Sequence, residues 1–146
     1  MTAEPGFVGA KIALIRGGRV LTHLRDDLPG LPFPGYWDFP GGGREGDETE
    51  AECALRELHE EYGLILPEDR LIWRRDYPSH HEPGARAAFF GGHIEAAEIE
   101  RIVFGDEGQG WEMMAIPAFL GHDRAVPFLQ TRLRDFLSGA GHLARP

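Results

Sequence analysis

The chain has 146 residues, 42% of them hydrophobic, enough for one real core and too few for two, so a single domain over residues 1–146 is expected. A formal charge of -9 argues against broad binding to a nucleic-acid polymer, whose backbone needs a basic surface, although metal ions can bridge an acidic site to a nucleotide's phosphates. No apolar run approaches the length of a membrane span and no basic-then-apolar leader opens the chain, which makes a cytoplasmic protein the default and a membrane partner unexpected.

Phe7 to Ile15 is rich in apolar and β-compatible residues, and after Gly17-Gly18 the run Val20 to Leu24 reads as its hairpin partner. Lys11, inside the first of these runs, is the only lysine. Arg25-Asp26-Asp27 leads into a loop punctuated by Pro29, Gly30, Pro32, Pro34 and Gly35, with Phe33, Tyr36 and Trp37 interleaved. Those aromatics suit contact with a base and packing on the core equally well. Trp37 to Phe39 reads as a short strand feeding a Gly41-Gly42-Gly43 turn, where missing side chains let the backbone approach a ligand. Arg44 follows, either reaching a phosphate or standing solvated.

Thr49 as N-cap with Glu52 three residues on forms a capping box, and Gly63 sits where a helix leaves through a left-handed residue. The spacing predicts a helix over Glu50–Tyr62. Ala51, Ala54, Leu55, Leu58 and Tyr62 fall on one apolar stripe at about 100° per residue. Glu57, Glu60 and Glu61 project from an adjoining arc within one turn of each other. Three carboxylates so placed repel by roughly a few tenths of a kcal/mol per pair, and the macrodipole disfavours anions at a helix C-terminus. Clustered carboxylate oxygens suit a hard divalent ion, whereas a triplet taken by itself reads first as a solvated acidic face. Cys53, the only cysteine, lacks an internal disulfide partner, and its position beside Ala54 suits a small packed residue better than a nucleophile.

The wider pattern overturns the bland reading of the triplet. Gly42, Glu48 and the run Arg56-Glu57-Leu58-His59-Glu60-Glu61-Tyr62-Gly63-Leu64 occupy every fixed position of the Nudix box, so the chain resembles a Nudix hydrolase of the MutT-like kind. The lead-in Trp37-Asp38-Phe39-Pro40-Gly41 extends the likeness. The resemblance implies an α/β/α sandwich, with a mixed central sheet between the box helix and a C-terminal helix.

Beyond the helix, Arg70 to Tyr77 and Arg86 to Ile94 read as strands, separated by a loop carrying His80 and His81. Adjacent loop histidines without supporting spacing read as solvent-exposed before they read as metal ligands. Gly91-Gly92 hints at a bulge or a close backbone approach. In Gly105-Asp106-Glu107-Gly108, ahead of a Trp111 to Ile116 strand, the acidic pair is either turn chemistry or, by likeness to MutT-like enzymes, the source of a further catalytic glutamate. Glu107 is the favoured residue and Asp106 its competitor. Phe128, Leu129, Leu133 and Phe136 are spaced for an amphipathic C-terminal helix that Gly139 with Gly141 would end.

By the same resemblance, Glu57, Glu60, Glu61 and the Gly41 carbonyl hold Mg²⁺ or Mn²⁺, and Glu60 or Glu107 takes the proton of the attacking water. Arg56 orients the carboxylates, and Glu48 steadies the loop or binds a metal weakly. Arg25, Trp37 and Arg44 are the candidate substrate contacts. The implied reaction is hydrolysis of a nucleoside diphosphate linked to another moiety, foremost a nucleoside triphosphate, normal or modified. Nucleotide sugars or dinucleotides are the alternatives at the same site, and a non-catalytic nucleotide-binding module is the alternative class. A prenyl-diphosphate isomerase shares the fold but departs from the box and needs a catalytic cysteine, which Cys53, inside the helix, does not provide. A homodimer is left open.

Overall fold

The computed structural model describes residues 6–139. Strand β1 (Phe7–Arg16) turns at Gly17-Gly18 into β2 (Arg19–Leu24), its antiparallel neighbour through Ile15↔Val20 and Arg16↔Arg19. After the Pro- and Gly-rich loop come β3 (Trp37–Asp38) and β4 (Gly41–Gly43), then helix α1 (Glu50–Tyr62). The chain continues through β5 (Leu71–Pro78), β6 (Arg86–His93), α2 (Ala96–Glu100), β7 (Gly110–Ala115), α3 (Ile116–Leu120) and α4 (Pro127–Ser138). The strand order is β3-β2-β1-β6-β5, with β4 on β1 and β7 on β2. β1 and β6 run parallel and the other pairs antiparallel, giving the mixed sheet expected.

Alternation along β1 and β6 divides the core into two layers. Ala10, Ile12, Leu14 and Phe90 meet Cys53, Ala54, Leu58 and Tyr62 of α1. Ala13 and Phe89 meet Phe119 of α3 and Leu129, Leu133 and Phe136 of α4. The result is an α/β/α sandwich. Among the described residues no helix is long and apolar enough to cross a membrane.

The three glycines expected as a turn form a strand instead, paired to β1 through Gly9↔Gly43, Ala10↔Gly42 and Lys11↔Gly41. A Cβ on Gly41, whose φ is 136°, would lie 2.1 Å from the Ala10 carbonyl oxygen, and one on Gly9 would lie 2.7 Å from that of Gly42. The strands therefore come together only because these positions lack side chains. The bulge suggested by Gly91-Gly92 falls on the facing strand β5, between Leu71 and Trp73. Gly91 is where Phe136 of α4 lies down, 2.5 Å from a hypothetical Cβ. The aromatic loop packs: Phe33, Tyr36 and Trp37 lean on the α4-side core. Helix α4 ends at Gly139, whose N–H donates to the Asp135 carbonyl, and Gly141 lies outside the described residues.

Candidate active site

The capping box fixes where α1 begins: Thr49 Oγ1 accepts from Glu52 N at 3.1 Å, and Glu52 Oε1 accepts from Thr49 N at 2.8 Å. Gly63, at φ 68°, closes the other end with its N–H on the His59 carbonyl. With both ends set and the apolar stripe docked on β1, the adjoining arc faces β4. A Cβ on Gly42 would lie 2.6 Å from Glu57 Cδ, so the bare strand is what admits that carboxylate.

Arg56 organises this face. Its Nε and Nη2 donate to Glu48, Nη2 also donates to the Gly43 carbonyl at 2.8 Å, and Nη1 donates to both Glu57 Oε2 and Glu60 Oε2 at 3.1 Å. Held by the guanidinium, the Glu48 carboxyl lies below its ordinary range, and the hydrogen bonds that Arg56 donates to Glu48, Glu60 and Glu57 raise its own pKa. Glu61 is placed differently. Burial pushes its carboxyl up to about 8 against the influence of Lys11 and of the Gly41 N–H, which donates to Oε1 at 2.9 Å. Burial also raises Glu57, despite Arg56. Perturbed carboxyls gathered in one cleft are a mark of functional sites.

The same opening holds Lys11, a cation absent from the expected set. Lys11 Nζ donates to Asp38 Oδ2 at 3.0 Å and to the Phe39 and Gly41 carbonyls at 3.3 and 3.2 Å. Arg25 Nη1 donates to the same Asp38 oxygen at 2.9 Å. Asp38 is only 2% exposed. Burial alone would raise its carboxyl, but Lys11, His23 and Arg25 together outweigh that and hold it low. His23, beside it, is driven down to about 4 by burial, so its ring is neutral near pH 7, sharing a hydrogen bond between Nδ1 and the Tyr62 hydroxyl. The one advance signal was a lone lysine inside an apolar strand.

Lys11 and Asp38 line one cavity of about 470 Å³, within the range of small-molecule sites, at the end of the sheet where β1 and β6 begin. Glu57, Glu60, Glu61, Gly41 and Arg25 all border it. Glu107 enters from the loop ahead of β7, and Asp106 does not line the cavity. Hydrogen bonds from Gln109 N to the Leu24 carbonyl and from Gly105 N to the Glu61 carbonyl pin that loop at both ends. Trp37 and Arg44 lie elsewhere. Trp37 pairs with Ala125 and packs on the core, while the Arg44 guanidinium covers the Phe7 ring at 4.5 Å. Cys53 is fully buried with its thiol pushed up to about 11 by burial, a poor nucleophile. His80 and His81 are exposed but border the cavity.

Among the described residues, no three His, Cys, Asp or Glu side chains stand close enough together to hold a metal ion as placed. Arg56 Nη1 sits between Glu57 and Glu60, and Glu61 turns to the Gly41 N–H. The donor set still fits a hard divalent cation: every donor is an oxygen, and Glu61 is half-buried with no ion pair among the described residues.

Comparison with known proteins identifies the family. The family model described as NUDIX domain matches residues 7–131. A protein of Gluconacetobacter diazotrophicus named RNA pyrophosphohydrolase is 47% identical over 113 residues, 75% of this chain and 59% of that protein. One of Proteus vulgaris named 8-oxo-dGTP diphosphatase is 41% identical over 49 residues, 32% of this chain and 44% of that one. The matches thus span about half the length of these relatives. Among solved structures, a MutT protein from Methanosarcina mazei Go1 superposes with TM-score 0.71 at 18% identity, covering 96% of this chain and 99% of its own. A bifunctional NMN adenylyltransferase/ADP ribose pyrophosphatase from Francisella tularensis gives 0.65 at 23% identity, covering 97% of this chain and 44% of its own. A family match that begins with β1 and ends inside α4 reaches far beyond the helix motif, and this chain belongs to the NUDIX domain family.

Proposed function

We propose that the chain acts as a single-domain cytoplasmic hydrolase of a nucleoside diphosphate linked to another moiety, foremost a nucleoside triphosphate cleaved to nucleoside monophosphate and pyrophosphate. The observation that carries this is one cavity lined by both the α1 carboxylates and the Lys11–Asp38–Arg25 cluster. Glu57, Glu60, Glu61 and the Gly41 carbonyl would hold Mg²⁺ or Mn²⁺, which supplies charge neutralisation of the phosphates and a more acidic water.

The chain's own residues do the rest. Lys11 and Arg25 set positive charge facing a bound polyphosphate, and Asp38 keeps both in place. Water's oxygen bonds to a phosphoanhydride phosphorus, the bridging P–O bond breaks toward the leaving phosphate, and the water's proton passes to the Glu60 or Glu107 carboxylate. The Glu60 side chain is 53% exposed and Glu107 lies at the surface, so either reaches solvent. Arg56 orients Glu57 and Glu60, and Glu48 anchors Arg56 to the β4 loop.

The Gluconacetobacter relative's name makes RNA the competing substrate, but the charge of -9 favours a small nucleotide. A product-resolved assay with Mg²⁺ across nucleoside triphosphates, dinucleoside polyphosphates, nucleotide sugars, NADH and RNA tests the proposal. Pyrophosphate should appear from triphosphates, and Glu60→Gln should abolish it in a variant that melts normally. Turnover of nucleotide sugars alone shifts the substrate. Silence on every compound leaves a binding module.

A further inference from the structure

The end of the cavity away from α1 holds a group that the hydrolytic chemistry does not use. Arg132 of α4 is 6% exposed, yet it borders the cavity. Its guanidinium lies over two rings, 4.6 Å from the centroids of Tyr77 and Phe128. Nη2 donates to the Pro78 carbonyl at 3.3 Å, and among the described residues Arg132 makes no other hydrogen bond and no ion pair. The nearest carboxylate in sequence, Asp135, is taken by the Tyr77 hydroxyl at 2.8 Å and by Arg75 at 3.5 Å. Its remaining N–H donors have no protein partner among the described residues and are not sealed from solvent, which leaves them free to meet a ligand in the cavity. His80 stacks on Phe128, with ring centroids 4.5 Å apart and planes 24° from parallel, and both border the cavity. Ala87 and Ala88 also line the cavity.

We infer that Arg132 reads the base of the nucleotide and selects a 6-oxopurine, guanine or hypoxanthine, over adenine. The inference rests on the proposed hydrolysis, because the phosphates held at the α1 end leave the opposite end for the base. Aromatic rings there suit a flat heterocycle better than a tetrahedral phosphate. Arginine donates and never accepts. Guanine and hypoxanthine offer two adjacent acceptors, O6 and N7, whereas adenine sets an N6 amino donor beside N7 and would face donor with donor.

Calorimetric binding of GMP, IMP and AMP to the whole protein reads base preference without turnover. GMP and IMP should bind roughly 10- to 100-fold more tightly than AMP, as a bidentate arginine contact implies. Replacing N7 in 7-deaza-GMP should remove most of that advantage, and Arg132→Met should bring all three within a few fold of one another. The 7-deaza comparison uses the unaltered protein, so it decides the matter where Arg132→Met does not fold. Equal binding of GMP and AMP, or a guanine preference that survives both 7-deaza substitution and Arg132→Met, overturns the role of Arg132 and leaves the hydrolysis standing. Guanine-selective binding with no turnover of any nucleotide does the reverse.

Discussion

Two residues carry tests that need no knowledge of the substrate's base. Glu107 reaches the cavity and its neighbour Asp106 does not, so the adjacent carboxylates should differ sharply. Glu107→Gln should lower kcat roughly 10²-fold or more with little change in KM if it helps take the water's proton, and Asp106→Asn should do much less. Reversed ranks would give the role to Asp106. His23 offers a stability test. Its folded pKa of about 4 lies below the ordinary 6.5, so between those values the unfolded chain binds a proton that the folded chain refuses. The contribution of His23 is intact above pH 6.5 and is lost on acidification toward 4, by roughly 3 kcal/mol for such a shift. Glu61, raised to about 8, works oppositely, its folded carboxyl keeping a proton that the unfolded chain releases above about 4.5. Only the difference between wild type and His23→Gln isolates the histidine. Urea unfolding at pH 5 and pH 7 should show a smaller acid loss in the variant, and parallel curves would mean that the ring carries its proton when folded.

At the scale of elements, α1 was legible because its ends are chemical: Thr49, Glu52 and Gly63 mark them without reference to the fold. Its carboxylate arc was legible for the same reason, since Glu57, Glu60 and Glu61 are neighbours by helical spacing alone. Strand β4 was not, because three glycines carry no alternation, and α2 and α3 are five residues each, too short for a helical period. Lys11, Asp38, His23 and Arg132 stayed hidden because each comes from a different element, and no local signal says which elements meet. The β1–β4–α1 contact makes a paired prediction. Gly41→Ala puts a Cβ 2.1 Å from backbone at a left-handed φ, which should destabilise the fold by about 2 kcal/mol or more. For Gly42→Ala the three nearest atoms all belong to the carboxylate end of Glu57. That side chain can swing aside, so the melting temperature should change little while kcat/KM falls at least ~10-fold. A Gly42→Ala enzyme of normal activity would separate Glu57 from the reaction.

The whole molecule sets two helical layers around a sheet so that anionic α1, Lys11 of β1 and Arg25 just after β2 face one opening, and internal cations contact the acidic groups there. Arg56 bridges Glu57 and Glu60, and Lys11 occupies the Gly41 carbonyl. A divalent ion held by these carboxylates, as proposed, would have to loosen these contacts first, so its net effect on stability would be smaller than its gross attraction and would depend on the native fold. An ion bound only by the folded chain stabilises it by RT ln(1 + [L]/Kd), about 2.7 kcal/mol at a hundred times Kd. For a domain of this size that raises Tm by several degrees. Millimolar Mg²⁺ or Mn²⁺ should therefore raise the melting temperature, EDTA should return it, and Glu61→Gln should flatten the response while the variant still melts cooperatively. Should Tm ignore both ions in the wild-type chain, Arg56 and Lys11 are permanent partners of the acidic groups and the α1 carboxylates form a structural ion network.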